Sequence, residues 1–108
     1  MEITDFGYFT VREPRRGEPS LLYFVNDLGQ DWYEMRSALT EWDRYGVFVN
    51  AIYGAWAAVD ADGIVTNVEY DPSRLMPGDR TVLGINADHT KIHKGMIWDG
   101  KELRDGNS

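Results

Sequence analysis

The chain has 108 residues, 43% of them hydrophobic, and 18 Asp and Glu against 11 Lys and Arg, for a net charge of −7. That length closes one hydrophobic core without disulfides or metal, so a single domain over residues 1–108 is expected and disorder throughout is not. The negative charge repels phosphate backbones and argues against direct nucleic-acid binding, while the absence of cysteine removes disulfides, thiolate catalysis and thiolate zinc sites together.

The first residues carry Glu2 and Asp5 and have neither a basic segment nor an apolar one, so no signal peptide is expected. No apolar run approaches the roughly 18–20 residues of a spanning helix, so no membrane association is expected. Phe6 to Arg12 and Leu21 to Val25 are rich in aromatic and β-branched types. The Pro- and Gly-containing stretch Glu13 to Ser20 cannot join a ladder, so these predict two antiparallel strands joined by a charged loop with Arg15 and Arg16 at its tip.

Asn26-Asp-Leu-Gly29 predicts a turn, after which Trp32, Met35, Leu39 and Trp42 follow the three- and four-residue spacing of one helical face. Asp31 followed by Glu34 resembles a capping box, and Gly46 supplies a left-handed stop, which predicts a helix from about Asp31 to Tyr45. Strand patterning resumes at Val47 to Val49. It continues through Ala55 to Val59 and Ile64 to Val68, the latter two forming a hairpin around Asp60-Ala-Asp-Gly63. Asp71-Pro-Ser73 predicts a short capped helical turn, Pro77-Gly-Asp79 a chain reversal and Thr81 to Ile85 another strand. Asn86 to Lys94 reads as loop, Met96 to Trp98 with Lys101 to Arg104 as a terminal hairpin, and Asp105 to Ser108 as a fraying end. The expected class is therefore α+β: mainly antiparallel sheet built from hairpins and packed with one principal helix, about 31–45.

Candidate chemistry is sparse. Asp60-Ala-Asp62-Gly63 has the opening spacing of a calcium loop but is followed by the strand residues Ile64 to Asn67 instead of further oxygen ligands, so a plain turn is expected. His89 and His93 stand four apart with Asp88 adjacent, but no Glu lies between them, no Cys is available as a further ligand and the segment reads as loop, which favours solvated histidines over zinc. No serine sits in a nucleophile motif, no phosphate loop occurs, and Gly84 reads as a strand bulge. No catalytic residue, metal ligand or cofactor site is therefore expected. Trp32, Trp42, Trp56 and Trp98, with neighbouring Tyr23, Tyr33 and Tyr53, exceed what a small core needs, and Trp and Tyr anchor protein interfaces. Tyr33, Tyr53 and Trp98, off the helix face or near turns, are the interface candidates.

Three stretches, Leu22-Tyr-Phe-Val-Asn-Asp-Leu-Gly-Gln-Asp-Trp-Tyr-Glu-Met-Arg36, Ala58-Val-Asp-Ala-Asp-Gly-Ile-Val-Thr-Asn-Val-Glu-Tyr-Asp-Pro-Ser-Arg-Leu75 and Gly95-Met-Ile-Trp-Asp-Gly100, are similar to small proteins that tailed bacteriophages encode near their tail genes, including tail-fibre assembly proteins. The resemblance implies a non-enzymatic, virion-associated or tail-fibre assembly protein, located in the virion or the host cytoplasm, whose partners are other phage tail or tail-fibre proteins. A permanent particle component would self-associate through an apolar interface, whereas a transient chaperone would be a soluble monomer or dimer. The competing expectation is a small acidic phage inhibitor that occupies the basic groove of a host defence or nucleic-acid-binding protein.

Overall fold

The fold is described from a computed structural model covering residues 2–20, 23–45 and 48–105. Strand β1 (Ile3–Arg12) turns through the charged loop into β2 (Tyr23–Val25), and α1 (Trp32–Leu39) follows the Asn26 turn. Then come β3 (Thr40–Trp42), β4 (Phe48–Ala51), β5 (Ala55–Val59) and β6 (Val65–Glu69), a 3₁₀ turn at Pro72–Arg74, and β7 (Arg80–Ile85). A second 3₁₀ turn at His89–Lys91 leads to the hairpin of β8 (Ile97–Trp98) and β9 (Leu103–Arg104). One five-stranded antiparallel sheet runs in the order β2-β1-β7-β5-β6, and β3-β4 and β8-β9 form separate two-stranded sheets. This is the expected α+β, mainly antiparallel class. Among the described residues no helix is long and apolar enough to cross a membrane.

Strand β5 is apolar along its whole length, and β7 from Val82 to Ile85, because the sheet is covered on both faces there. Ala55, Ala57, Val59, Leu83 and Ile85 pack into one core with Ile92 and Met96, under the terminal hairpin. The alternate residues Trp56, Ala58 and Val82 pack into a second core with Phe9, Phe24, Trp32 and Leu75. The period-2 alternation thus sends successive side chains of one strand into different cores. The second core is aromatic: Trp32 meets Trp56 edge-on at 6.1 Å between ring centroids and Phe9 at 5.6 Å. Both indole N–H groups are buried without an acceptor, a cost of about 1–3 kcal/mol each that the ring packing offsets.

Two expectations are corrected. The helix stops at Leu39 and not near Tyr45, because Thr40 is already extended (φ −126°, ψ 152°), its Oγ1 donates back to the Arg36 carbonyl at 2.6 Å, and its backbone enters a ladder opposite Ala51. Trp42 therefore lies on β3 instead of continuing the helical face. Gly84 is not a bulge: it pairs in regular register with Thr4 and Trp56, and the irregularity lies in β1 between Asp5 and Tyr8, where Gly7 has a φ of +94°. The Asn86 to Lys94 loop contains the second 3₁₀ turn, started by Asp88, whose carboxylate accepts from Thr90 N. The expected stop at Gly46, residues Leu21, Leu22 and Val47 of the predicted strands, and the end of the tail lie outside the described residues.

The candidate binding cleft at Arg12

Asn26 builds the corner from which the site is made. Its side-chain amide donates to Phe6 O and Gln30 Oε1, both at 2.8 Å, and its Oδ1 accepts from Leu28 N and Gln30 N. The buried amide fixes the turn after β2 and delivers Asp31 to the start of α1. Asp31 Oδ1 then caps the helix, accepting from Tyr33 N at 2.9 Å and Glu34 N at 3.2 Å, while its Oδ2 faces Arg12 Nη2 at 3.3 Å. One carboxylate thus joins the helix to the end of β1.

Arg12 stands opposite Tyr23 in the β1-β2 ladder, its guanidinium 4.4 Å from the Tyr23 ring centroid. Nη1 donates to Glu18 Oε1 at 2.8 Å and Nη2 to Glu18 Oε2 at 3.1 Å, a two-bonded fork that pulls the loop down over the strand. Glu18 Oε1 also accepts from Arg15 N at 2.6 Å, and Tyr23 donates its hydroxyl to Pro19 O. The Arg12 side chain is only 16% exposed, and its Nε is buried without a partner.

Between this loop and the start of α1 opens a cleft of about 530 Å³, with Arg15 and Glu18 on one wall, Tyr33 and Glu34 on the other, and Tyr23 and Gln30 among its lining. That size lies within the range of small-ligand and peptide-side-chain sites. The hydrogen bonds from Arg12 and then from Arg15 N lower the Glu18 carboxyl to about 2. Burial, followed by the Glu18 charge, pushes the Tyr23 phenol up, and the Glu18 contact raises Arg12 further. These three groups keep one protonation state across neutral pH. They offer fixed charge and ring surface, not proton transfer.

The three interface candidates are not brought together. Tyr33 lines the cleft, half-buried and edge-on to Tyr23 at 6.1 Å, with the Arg36 guanidinium 4.8 Å from its ring centroid. Tyr53 lies against the second core, 5.4 Å from Trp56, with its hydroxyl 2.8 Å from Thr4 Oγ1. Trp98 packs against the first core, beneath the opposite face of the sheet. All three are half-buried, whereas Tyr45 is 74% exposed.

His89 and His93 address different acids: His89 Nδ1 is 3.7 Å from Asp88, and His93 Nε2 is 2.9 Å from Asp105 Oδ1. Asp60 spends Oδ1 on the backbone N–H groups of Asp62 and Ile64, the geometry of a hairpin turn with Gly63 at φ +82°. Among the described residues no three acids or histidines converge as a metal site.

The role of Glu18 was not visible in the sequence, where it sits in a polar loop six positions from Arg12 with no local pattern joining them. Asp31 was visible as a cap but not as the second partner of Arg12. No family model, no curated protein and no solved structure matches this chain.

Proposed function

We propose that this chain is a non-enzymatic protein-binding domain that serves as a virion-associated or tail-fibre assembly protein of a tailed bacteriophage, the kind of protein its three motif stretches resemble. The observation that supports binding is the Arg12 cleft. It is large enough to seat side chains of a partner, it is edged by Tyr33, and its central ionisable groups are tied to one another and held away from neutrality. Such a site recognises by shape and fixed charge. The phage assignment rests on the motifs, and the cleft supplies a place where a tail or tail-fibre protein would be held.

The test has two parts. Peptide mass spectrometry on purified particles asks whether the chain is present in stoichiometric amount, and affinity capture of wild-type and Tyr33→Ser chains from phage-producing cells asks what is bound. Presence in particles, or a tail protein recovered with wild type and lost with the variant, supports the reading. Absence from particles together with capture of no phage protein overturns it.

A further inference from the structure

The Arg12 cleft holds more carboxylate than it neutralises. Of its charged side chains, Arg15 and Glu34 are exposed at the rim, one of each sign, and water screens them. Arg12, Glu18 and Asp31 form an inner set, with side chains 16%, 29% and 16% exposed. Two carboxylates there face one guanidinium, so the inner set carries one uncompensated negative charge. Being partly buried, that charge is screened much less than the rim.

The hydrogen bonds show where the charge is open. Glu18 Oε1 accepts from Arg12 Nη1 and Arg15 N, and Asp31 Oδ1 accepts from Tyr33 N and Glu34 N. Glu18 Oε2 and Asp31 Oδ2 each accept one bond, both from the same nitrogen, Arg12 Nη2, at 3.1 and 3.3 Å. The two acids thus converge on one nitrogen whose two N–H bonds are spent, and each of these oxygens has room for a second donor. An incoming anion would find the Arg12 fork occupied. An incoming cation would find two carboxylate oxygens on either side of one nitrogen, each still able to accept. The rest of the lining suits an aliphatic stem, since Val25, Tyr33 and Met35 contribute apolar surface. Cations already lie on rings here, with Arg12 4.4 Å from the Tyr23 centroid and Arg36 4.8 Å from that of Tyr33.

We infer that the cleft seats a lysine or arginine side chain of a partner protein, its cation bridging Glu18 Oε2 and Asp31 Oδ2 and its stem lying along Val25, Tyr33 and Met35. The inference rests on the reading of the cleft as a binding site, and it holds whether or not the partner is a phage protein. The charge of the whole chain, −7, favours the same occupant, because it draws basic groups and repels acidic ones at long range.

The test titrates the isotope-labelled full chain with the Nα-acetyl amides of lysine, arginine, glutamate and tyrosine while amide NMR shifts are followed. The lysine and arginine probes should move the Gln30, Tyr33 and Glu34 amides saturably, the glutamate probe should not, and added salt should weaken the binding. Glu34→Gln should weaken binding of the basic probes and Arg15→Gln should strengthen it, each by about two- to fivefold, the range of an exposed charge pair. Glu18→Gln leaves one carboxylate against Arg12 and should abolish the preference for basic over acidic probes. If that variant fails to fold, the opposite effects of the two rim variants still decide the matter, and rim variants that shift binding in the same direction overturn the inference. Equal or tighter binding of the glutamate or tyrosine probe at the same amides also overturns it, while leaving the cleft a binding site. No saturable shift with any probe overturns it too, and the reading of the cleft as a binding site then stands or falls by whether Tyr33→Ser loses a captured partner.

Discussion

Arg12 and Glu18 meet through two parallel hydrogen bonds, of 2.8 and 3.1 Å, that close the β1-β2 loop over the ring of Tyr23. The contact lowers the Glu18 carboxyl from its ordinary 4.5 to about 2. A carboxyl that is more acidic in the folded chain contributes stability that is fully present above its unfolded value and is lost as pH falls toward its folded one. Glu18→Gln removes that contribution. Thermal melts of wild type and variant should therefore differ by a constant amount above pH 4.5, and the difference should shrink below it and vanish near pH 2. A gap that stays constant down to pH 2 would mean that Glu18 does not carry this linkage.

Asp31 has two separable duties, because one oxygen caps α1 and the other meets Arg12. Asp31→Ala removes both and should cost at least the about 0.5–2 kcal/mol of a lost cap. Asp31→Asn keeps an oxygen for Tyr33 N and Glu34 N and loses only the charge facing Arg12, so it should cost less. Urea unfolding at neutral pH measures both. Equal costs for the two variants would show that the ionic contact, not the cap, dominates.

What the sequence made legible was local. The capping aspartate at 31, the Asp60 to Gly63 turn and the terminal hairpin each depend on residues within a few positions of one another, and each is where it was expected. What it concealed depends on partners distant in the chain. The helical spacing runs on through Trp42, but pairing of Thr40 with Ala51 takes over at Leu39, and no window that reads periodicity contains both strands. The cleft was hidden for the same reason: Arg12, Glu18 and Asp31 are joined by a hairpin closure and a turn, and taken alone Arg12 and Glu18 read as solvated charges and Asp31 only as a cap. The interface candidates Tyr33, Tyr53 and Trp98 lie off the helical face or near turns in the sequence, and only the fold shows that they stand on separate parts of the molecule, each half-buried.

Leu75 and Met76 are neighbours in sequence and opposites in environment. Leu75 is 1% exposed and lies in the aromatic core, whereas Met76 is 53% exposed. Truncating a buried leucine removes its transfer energy and leaves a cavity, so Leu75→Ala should cost about 2–5 kcal/mol. Met76→Ala should stay within about 0.5 kcal/mol of wild type. Parallel chemical denaturation of the two variants checks the contrast, and comparable losses at both positions would contradict the packing of the loop before β7.

Gly84 lies under the ring of Tyr53. A Cβ added to it would stand 2.7 Å from Tyr53 Cδ2 and 2.8 Å from Phe6 Cε2, closer than carbon atoms approach. Gly→Ala at an unstrained strand position would ordinarily stabilise by about 0.4–1 kcal/mol, by reducing the freedom of the unfolded chain. Here the clash should win, because neither ring is free to retreat: Tyr53 is tied to Thr4 at 2.8 Å and packed edge-on against Trp56, and Phe6 is stacked on Trp56 at 5.7 Å. Overpacking costs about 1–3 kcal/mol, and a domain of this size loses roughly 4–8 °C of melting temperature per kcal/mol. A double-mutant cycle makes the cause specific. Tyr53→Ala should cost less in the Gly84→Ala background than in wild type, since it then also relieves the clash. Strict additivity would show that the intolerance of Gly84 to a side chain has nothing to do with Tyr53.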